Sequence, residues 1–291
     1  MNSFKNSHPY FVFIYFAAFT VLSMLLLHPV CSFISLAAGI VNILFVSEKR
    51  ALRFVLTCVL PVAIGAAVLN PLFNHEGQTI LWYFPGGNPL TAESVFYGIG
   101  TGFGIGGIMC GFYLLNAVMT SDMLMYITGN ISPSIALFIS MALHFVPLLS
   151  DRFRAVRSAR NTLRPKKRGI IFSVCDTVGT FCAVVGWSME HAVETADSMK
   201  SRGYGVSKRT FFSNYTACRA DFLNTAYVFF LIAFIALKHK ALYFSYFPAV
   251  KSTPFSLWSV LCAAAYALFC LMPALINIEG AIRWKILKSK I

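Results

Sequence analysis

The sequence predicts an all-α, polytopic helical membrane protein with an amphipathic, basic helical section that is expected on the cytoplasmic side. Three observations predict this class. Of the 291 residues, 57% are hydrophobic and only 12% are charged, whereas soluble domains carry about 25% charged residues. The mean hydropathy is +0.69, and several apolar runs approach the roughly 20 residues that cross a bilayer. The net charge of +13 lies between these runs rather than on a soluble domain, so we expect a lipid bilayer and no nucleic acid as partner.

The predicted membrane spans are six apolar runs, at residues 10–27, 29–46, 54–69, 94–119, 222–237 and 255–273. The first run follows Lys5, as in a secretory leader. It is followed by His28 and Pro29 rather than by a small-residue cleavage site, so we interpret it as a retained span. A further apolar segment, residues 131–149, continues without a break into a charged helix.

The basic residues predict the orientation, because Lys and Arg mark cytoplasmic loops. Residues 70–92 contain no Lys or Arg and are expected outside. Residues 150–221 contain 13 Lys or Arg and 6 Asp or Glu, a net charge of +7 (13 − 6), and are expected inside. We therefore predict an N-terminal transmembrane bundle (1–149), cytoplasmic basic helices (150–221), and C-terminal transmembrane helices with a basic tail (222–291).

The segment 131–149 raises a problem of parity. With the N-terminus inside, four spans return the chain to the cytoplasm near Thr120, and a fifth full crossing would place the basic section outside. We expect this segment either to insert incompletely or to leave the membrane on the side where it entered. The protein is expected to be a multi-pass protein of the bacterial plasma membrane.

The basic section contains two helical patterns. The first has apolar residues at helical spacing, arginines on its other faces, and an end at Pro165. The second has an apolar stripe from Met189 to Met199, with Gly203 placed as a C-terminal cap. Residues 170–187 between them are apolar but include Asp176, so we interpret them as an amphipathic piece lying against the membrane.

Motifs for chemistry are missing from the sequence. It contains no GxxxxGK[ST] loop, no zinc-protease helix, no GxSxG and no CxxC pair, so we predict no catalytic residue, no metal ligand and no cofactor. A membrane enzyme or channel remains an alternative. Its polar candidates mostly fall at the ends of spans, where we interpret them as interfacial residues: His28, His75, Glu76, Glu93, Asp122 and His144.

Glycines recur four residues apart within the span at 94–119, at Gly98, Gly102 and Gly106. This spacing lets membrane helices approach closely. The glycines could pack against helices of the same chain, or they could form a docking surface for another membrane subunit. The first interpretation is the simpler one, and the sequence leaves both open.

Two short motifs each set one arginine among mostly small residues near the end of a basic helix. They are Ala159-Arg160-Asn161 and Ser201-Arg202-Gly203. Small neighbours allow a partner's wall to close around the guanidinium, whose planar fork suits a carboxylate better than lysine does. Taken alone, two such arginines are more often solvated charge.

The run 144–149 (HFVPLL), followed by an arginine-rich helix up to Ala159-Arg160, resembles the signature region of the transmembrane T component of energy-coupling factor (ECF) transporters. Residues 196–204 (ADSMKSRGY) resemble the second motif of that family, an amphipathic helix ending in Ala-Arg-Gly. The overall layout is similar too. This chain departs from the pattern at Asn161, where a small residue is usual, and at Ser201, which replaces alanine.

The resemblance implies a non-enzymatic scaffold that joins two cytoplasmic ABC ATPases to a membrane S component, which captures a vitamin or a metal ion. It further implies that Arg160 and Arg202 engage the ATPase subunits. A conventional ABC permease with its own substrate path is the nearest alternative. Charged residues deep in the spans would favour that alternative, and the sequence has almost none.

Overall fold

The computed structural model describes the chain apart from residues 1–3, 5–6, 27, 47, 84–88, 164–168, 207–214, 216–217, 239–241, 243, 248–250, 253–255 and 289–291. The described chain divides into two compact units. The first unit comprises residues 1–120 and 215–291, and the second comprises residues 121–214. The predicted domain boundaries at 149/150 and 221/222 stay predictions.

Helices dominate both units, so the prediction of an all-α fold is confirmed. The first unit contains α1 (Pro9–Leu25), α2 (Pro29–Val46), α3 (Glu48–Phe54), a π-helical turn (Val55–Val59), α4 (Leu60–Phe73), α5 (Ala92–Val118), α9 (Arg219–Leu237), α10 (Leu257–Cys270) and α11 (Met272–Lys288). The second unit contains α6 (Ser121–Ile131), α7 (Pro133–Thr162) and α8 (Ile170–Ser201).

Strands are short and form two antiparallel pairs in the first unit. β1 (Ile80–Tyr83) pairs with β2 (Pro89–Thr91), and β3 (Phe244–Ser245) pairs with β4 (Lys251–Ser252). The β1–β2 pair lies in the stretch without Lys or Arg and leads directly into α5. Thr91 caps α5 by accepting a hydrogen bond from the Ser94 N–H. The carboxylate of Glu93 accepts hydrogen bonds from the backbone N–H and the hydroxyl of Thr79.

Several helices are long and apolar enough to cross a membrane. Six described stretches meet this criterion, at Pro29–Val46, Ala51–Phe73, Ala92–Val118, Pro133–Thr162, Ile171–Ser201 and Arg219–Leu237. The bent pair α10 and α11 adds a seventh if it counts as one span, and α1 is a shorter apolar helix. The prediction of a multi-pass membrane protein is confirmed. Because α7 and α8 also meet the criterion, the expected partial insertion of 131–149 and the surface position of 170–187 stay predictions.

The core of the first unit is built around α2 and α5. Helix α5 packs against both α2 and α4, and large aromatic side chains from α1 and α10 fill the space beside α2, with Phe11, Tyr15 and Phe269 almost fully buried. Asn42 of α2 lies within this packing and is almost fully buried.

The last predicted span, 255–273, ends close to a break in the structure, and a second helix follows it. Between α10 and α11 the chain bends by 56°, next to Pro273, which has no N–H to continue the helix. Asn42 joins the two parts, because its Nδ2 donates to the Cys270 carbonyl (2.8 Å) and its Oδ1 accepts from the Ala274 N–H (3.1 Å). The Tyr15 hydroxyl donates to the carbonyl oxygens of Phe269 and Cys270 at 3.3 and 3.2 Å. These bonds satisfy the backbone groups that the break leaves open.

The helices of the second unit agree with part of the prediction. From Pro133 on, the apolar segment 131–149 and the arginine-rich helix form one unbroken helix, α7, as predicted. Ile131 ends α6, and Ser132 lies between the two helices. The division of residues 170–201 into an apolar piece and a separate amphipathic helix is wrong, because α8 is one continuous helix of 32 residues. No proline interrupts this stretch, and glycine weakens a helix without ending it.

Candidate functional site

The two motif arginines lie on one antiparallel helix pair, α7 and α8. Three contacts define the pairing: Arg160 with residues 176–180, Arg152 with Trp187, and Phe145 with His191. As residue numbers fall along α7, they rise along α8. Arg160 therefore lies near the connection between the helices, whereas Arg202 follows the far end of α8. At 1.5 Å per residue, the 24 residues from 178 to 202 place these two ends about 36 Å apart.

Arg160 is bound to α8. Its Nη1 donates to the carbonyl oxygen of Asp176 (3.2 Å) and to the hydroxyl of Thr180 (3.3 Å), and lies 3.8 Å from Asp176 Oδ1. The Asp176 side chain is 7% exposed and that of Arg160 is 32% exposed. A buried carboxylate beside a guanidinium is the pairing that makes a buried charge tolerable. In the sequence, Asp176 indicates only that residues 170–187 are amphipathic, because its pairing with Arg160 depends on how α7 and α8 pack.

Gly179 allows this contact. A Cβ atom added to Gly179 would lie 2.6 Å from Nη1 and 2.9 Å from Nη2 of Arg160. Real carbon atoms do not approach so closely, so a larger residue at this position would push the flexible arginine side chain and displace the guanidinium from its place against α8. By contrast, a Cβ at Gly186, seven residues further along the same helix, would meet open space.

Aromatic and cationic side chains hold the middle of the pair. The guanidinium of Arg152 lies 4.7 Å from the ring centre of Trp187. Trp187 stacks on His191 at 5.0 Å, and His191 meets the edge of Phe145 at 5.7 Å. Such contacts each contribute about 0.5–1.5 kcal/mol. The spacing of Trp187 and His191, four residues apart, is the sequence signal for this cluster, because it places both rings on one face of α8.

Arg202 stands at a glycine-capped helix end, as the sequence predicts. Gly203 has φ +84°, its N–H bonds to the Lys200 carbonyl (2.9 Å), and the Tyr204 N–H bonds to the Met199 carbonyl (3.1 Å). These two bonds form a Schellman motif, which ends the helix sharply. Arg202 is exposed, as is Tyr204 beyond it, so the end of α8 presents an exposed cationic side chain.

The residues that flank the two arginines are exposed. The Ala159 carbonyl accepts a hydrogen bond from the Thr162 hydroxyl (2.7 Å), and the Ser201 hydroxyl donates back to the Ser198 carbonyl (2.8 Å). Asn161 lies on the exposed side of α7. Small or locally bonded neighbours leave each arginine accessible from the side, and the role of these residues in ATPase coupling stays a prediction.

The glycines of α5 pack within the first unit. A Cβ at Gly98 or Gly102 would lie 2.8 or 2.5 Å from the carbonyl oxygens of Ala67 and Ala63 on α4, and a Cβ at Gly106 would meet Leu36 of α2 at 2.4 Å. These short distances agree with the interpretation that the glycines pack against helices of the same chain. Contact of these glycines with another membrane subunit stays a prediction.

Two of the polar residues that an enzyme or channel could use, Glu93 and His28, have local structural partners. Glu93 binds Thr79, and His28 Nδ1 accepts from the Val30 N–H at 3.2 Å. Partial burial lowers the pKa of the His28 imidazole from its usual value of 6.5, which favours the neutral ring. Across the described residues, no three His, Cys, Asp or Glu side chains come together in a way that could hold a metal ion.

Fold and site together define a class, a multi-pass helical membrane protein with a basic helical hairpin. Comparison with family models shows which family the chain belongs to. The model of the CbiQ family, described as cobalt transport protein, matches residues 2–211. The match spans more than half of the chain and includes both arginine motifs, so the chain belongs to this family and is a membrane component of a transporter. The predicted resemblance is thereby confirmed. Comparison with curated proteins finds no match.

Proposed function

We propose that the chain is the transmembrane coupling subunit of an ECF-type ABC importer. In this role it performs no chemistry itself. It transmits the motion of two cytoplasmic ATPases to a membrane S component that binds a vitamin or a metal ion. The single observation that carries the proposal is the position of Arg160 and Arg202 at opposite ends of one braced helix pair.

Two ATPase subunits need two separate points of contact. The α7–α8 pair offers one near each of its ends, separated by about 36 Å. The contacts of Arg160 with α8 hold the two helices together at one end. The contacts among Arg152, Trp187, His191 and Phe145 hold them together in the middle. A pair braced in this way moves as one body, so a displacement of its ends by the ATPases is passed on as a rotation or a shift rather than lost in bending.

The charge of this section suits acidic sockets on the ATPases. Residues 150–221 carry the net charge of +7 noted above. An arginine fork can bind a carboxylate through two parallel hydrogen bonds. Basic residues around it would steer the encounter with an acidic partner.

The proposal is tested by changing the two arginines. Because removing one partner of a desolvated charge pair costs about 2–5 kcal/mol, Arg160→Ala and Arg202→Ala together should weaken ATPase binding by roughly 30-fold or more. The measurement is the amount of ABC ATPase, identified by its ATP hydrolysis, that copurifies with the tagged chain from its native membrane. Uptake of labelled cobalt is measured in the same cells.

Arg157→Ala is the matched control, since Arg157 is an exposed arginine of α7 outside both motifs. It should leave copurification unchanged. If the double variant retains the ATPases as well as Arg157→Ala does, the coupling role of the arginines is wrong. If the wild-type chain transports a substrate with no ATPase present, the alternative of a stand-alone permease or channel takes its place.

A further inference from the structure

The two motif arginines are held in different ways. Arg202 is exposed and follows a capped helix end, whereas Arg160 is fixed to α8 by Asp176, Gly179 and Thr180. We infer that these three residues, here named the Arg160 seat, position Arg160 so that one edge of its guanidinium is presented to an ATPase carboxylate. This inference rests on the proposed function and deepens it.

The hydrogen bonds of Arg160 show which edge is presented. Within the described part of the chain, its bonds to α8 all pass through Nη1. Nε and Nη2 make no hydrogen bond with a described residue, and about a third of the side chain is exposed (32%). Nε and Nη2 are adjacent and parallel donors, the pair that binds a carboxylate side-on. Nη1 serves as the anchor, and the opposite edge remains for the partner.

The seat also explains the need for arginine at this position. One nitrogen of the planar guanidinium can be anchored while the other two point away from it. The lysine ammonium is a single point charge and cannot bind the seat and a second carboxylate in fixed directions. Anchoring reduces the rotamer freedom that Arg160 would lose on binding, so the seat increases affinity by preorganisation.

The seat can be tested through its effect on Arg160 alone. Thr180→Val removes the hydroxyl that binds Nη1, and Gly179→Ala places a methyl group where the guanidinium lies. Thr177→Val and Gly186→Ala are matched controls on the same helix, because the Thr177 hydroxyl binds only its own helix at Ser173 and Gly186 faces open space. Each change is made in the wild-type chain and in the Arg160→Ala chain, within the full-length protein in lipid nanodiscs.

The measured quantity is the affinity for the ATPase that copurifies with the wild-type chain. In the wild-type chain, each seat variant should weaken binding by about tenfold, the loss expected for one well-placed hydrogen bond. In the Arg160→Ala chain, the same variants should have no further effect, because a seat without its arginine positions nothing. Thr180→Ser should restore most of the affinity, and Arg160→Lys should not.

Additive losses would overturn the inference. If Thr180→Val and Gly179→Ala weaken binding equally with and without Arg160, they act on the helix pair in general and not through the arginine. Unchanged affinity in the seat variants, with Arg160→Ala and Arg202→Ala still weakening binding, would reject the seat and leave the proposed function intact. Failure of the proposed function looks different, since in that case neither arginine variant affects ATPase binding.

Discussion

Gly203 controls how Arg202 is presented, because it alone allows the chain to turn directly after the arginine. Its φ of +84° lies in the left-handed region, where a Cβ atom costs about 1 kcal/mol. Gly203→Ala should therefore loosen the last turn of α8 and increase hydrogen exchange at the amides of Gly203 and Tyr204, which make the two capping bonds. ATPase binding should weaken by up to about tenfold, because the unanchored arginine then samples more orientations.

Gly169→Ala gives the comparison at the other end of the same helix. Gly169 has φ −76° and ψ 162°, and its side-chain position faces open space, so alanine fits without strain. In the Gly169→Ala chain, hydrogen exchange at the backbone amides and ATPase binding should both stay as in the wild-type chain. Equal behaviour of the two alanine variants would show that the capping geometry of Gly203 has no part in presenting Arg202.

A polar side chain joins two helices inside the apolar core of the first unit. Asn42 is 3% exposed and bridges Cys270 and Ala274 across the break between α10 and α11. Asn42→Leu keeps the branched shape of the side chain but leaves the buried Ala274 N–H without its partner, at a cost of about 1–3 kcal/mol. The Cys270 carbonyl keeps only the Tyr15 hydroxyl, which it shares with Phe269. We expect a clear fall in the thermal unfolding midpoint of the detergent-solubilised protein.

Asn116→Leu provides the matched control for this change. Asn116 is exposed, and its Nδ2 donates only to the Phe112 carbonyl of its own helix (3.1 Å). The unfolding midpoint of the Asn116→Leu protein should lie within a few degrees of that of the wild-type protein. If Asn42→Leu behaves in the same way, the bridge does not hold the two helices together.

Local sequence patterns predict the helices and their caps better than they predict which residues contact one another across the fold. The apolar runs and the glycine at 203 predict helices and a cap that the structure contains, because hydrophobic periodicity and positive φ are local properties. The last predicted span ends at Pro273, close to the break after α10, because proline is a local signal. The binding of Asn42 across that break joins residues 228 apart in sequence, and no local pattern shows it. The same reason applies to Arg160. Its motif is visible in the sequence, but its binding to Asp176 and Thr180 follows only from how two helices pair.

The membrane topology of the whole molecule decides whether both arginines can reach the ATPases. Helices α7 and α8 are each long enough to span a bilayer, and they run antiparallel. If both crossed the membrane, Arg160 and Arg202 would lie on opposite sides of it, and cytoplasmic ATPases could bind only one of them. The connection between the helices contains Arg164, Lys166, Lys167 and Arg168, and so many basic residues favour the inside. We therefore expect both ends of the helix pair in the cytoplasm.

Cysteine labelling in whole cells measures on which side of the membrane each end of the helix pair lies. The exposed Cys175, Cys182 and Cys218 are first changed to serine, and single cysteines are then introduced by Thr162→Cys, Val206→Cys or Gln78→Cys, all at exposed positions. Gln78→Cys, in the stretch without basic residues, should react with a membrane-impermeant maleimide in intact cells. Thr162→Cys and Val206→Cys should react only after permeabilisation, because basic segments resist transfer to the outside. Labelling of Thr162→Cys but not Val206→Cys in intact cells would mean that α7 and α8 both cross the bilayer, and Arg160 could then bind no cytoplasmic ATPase.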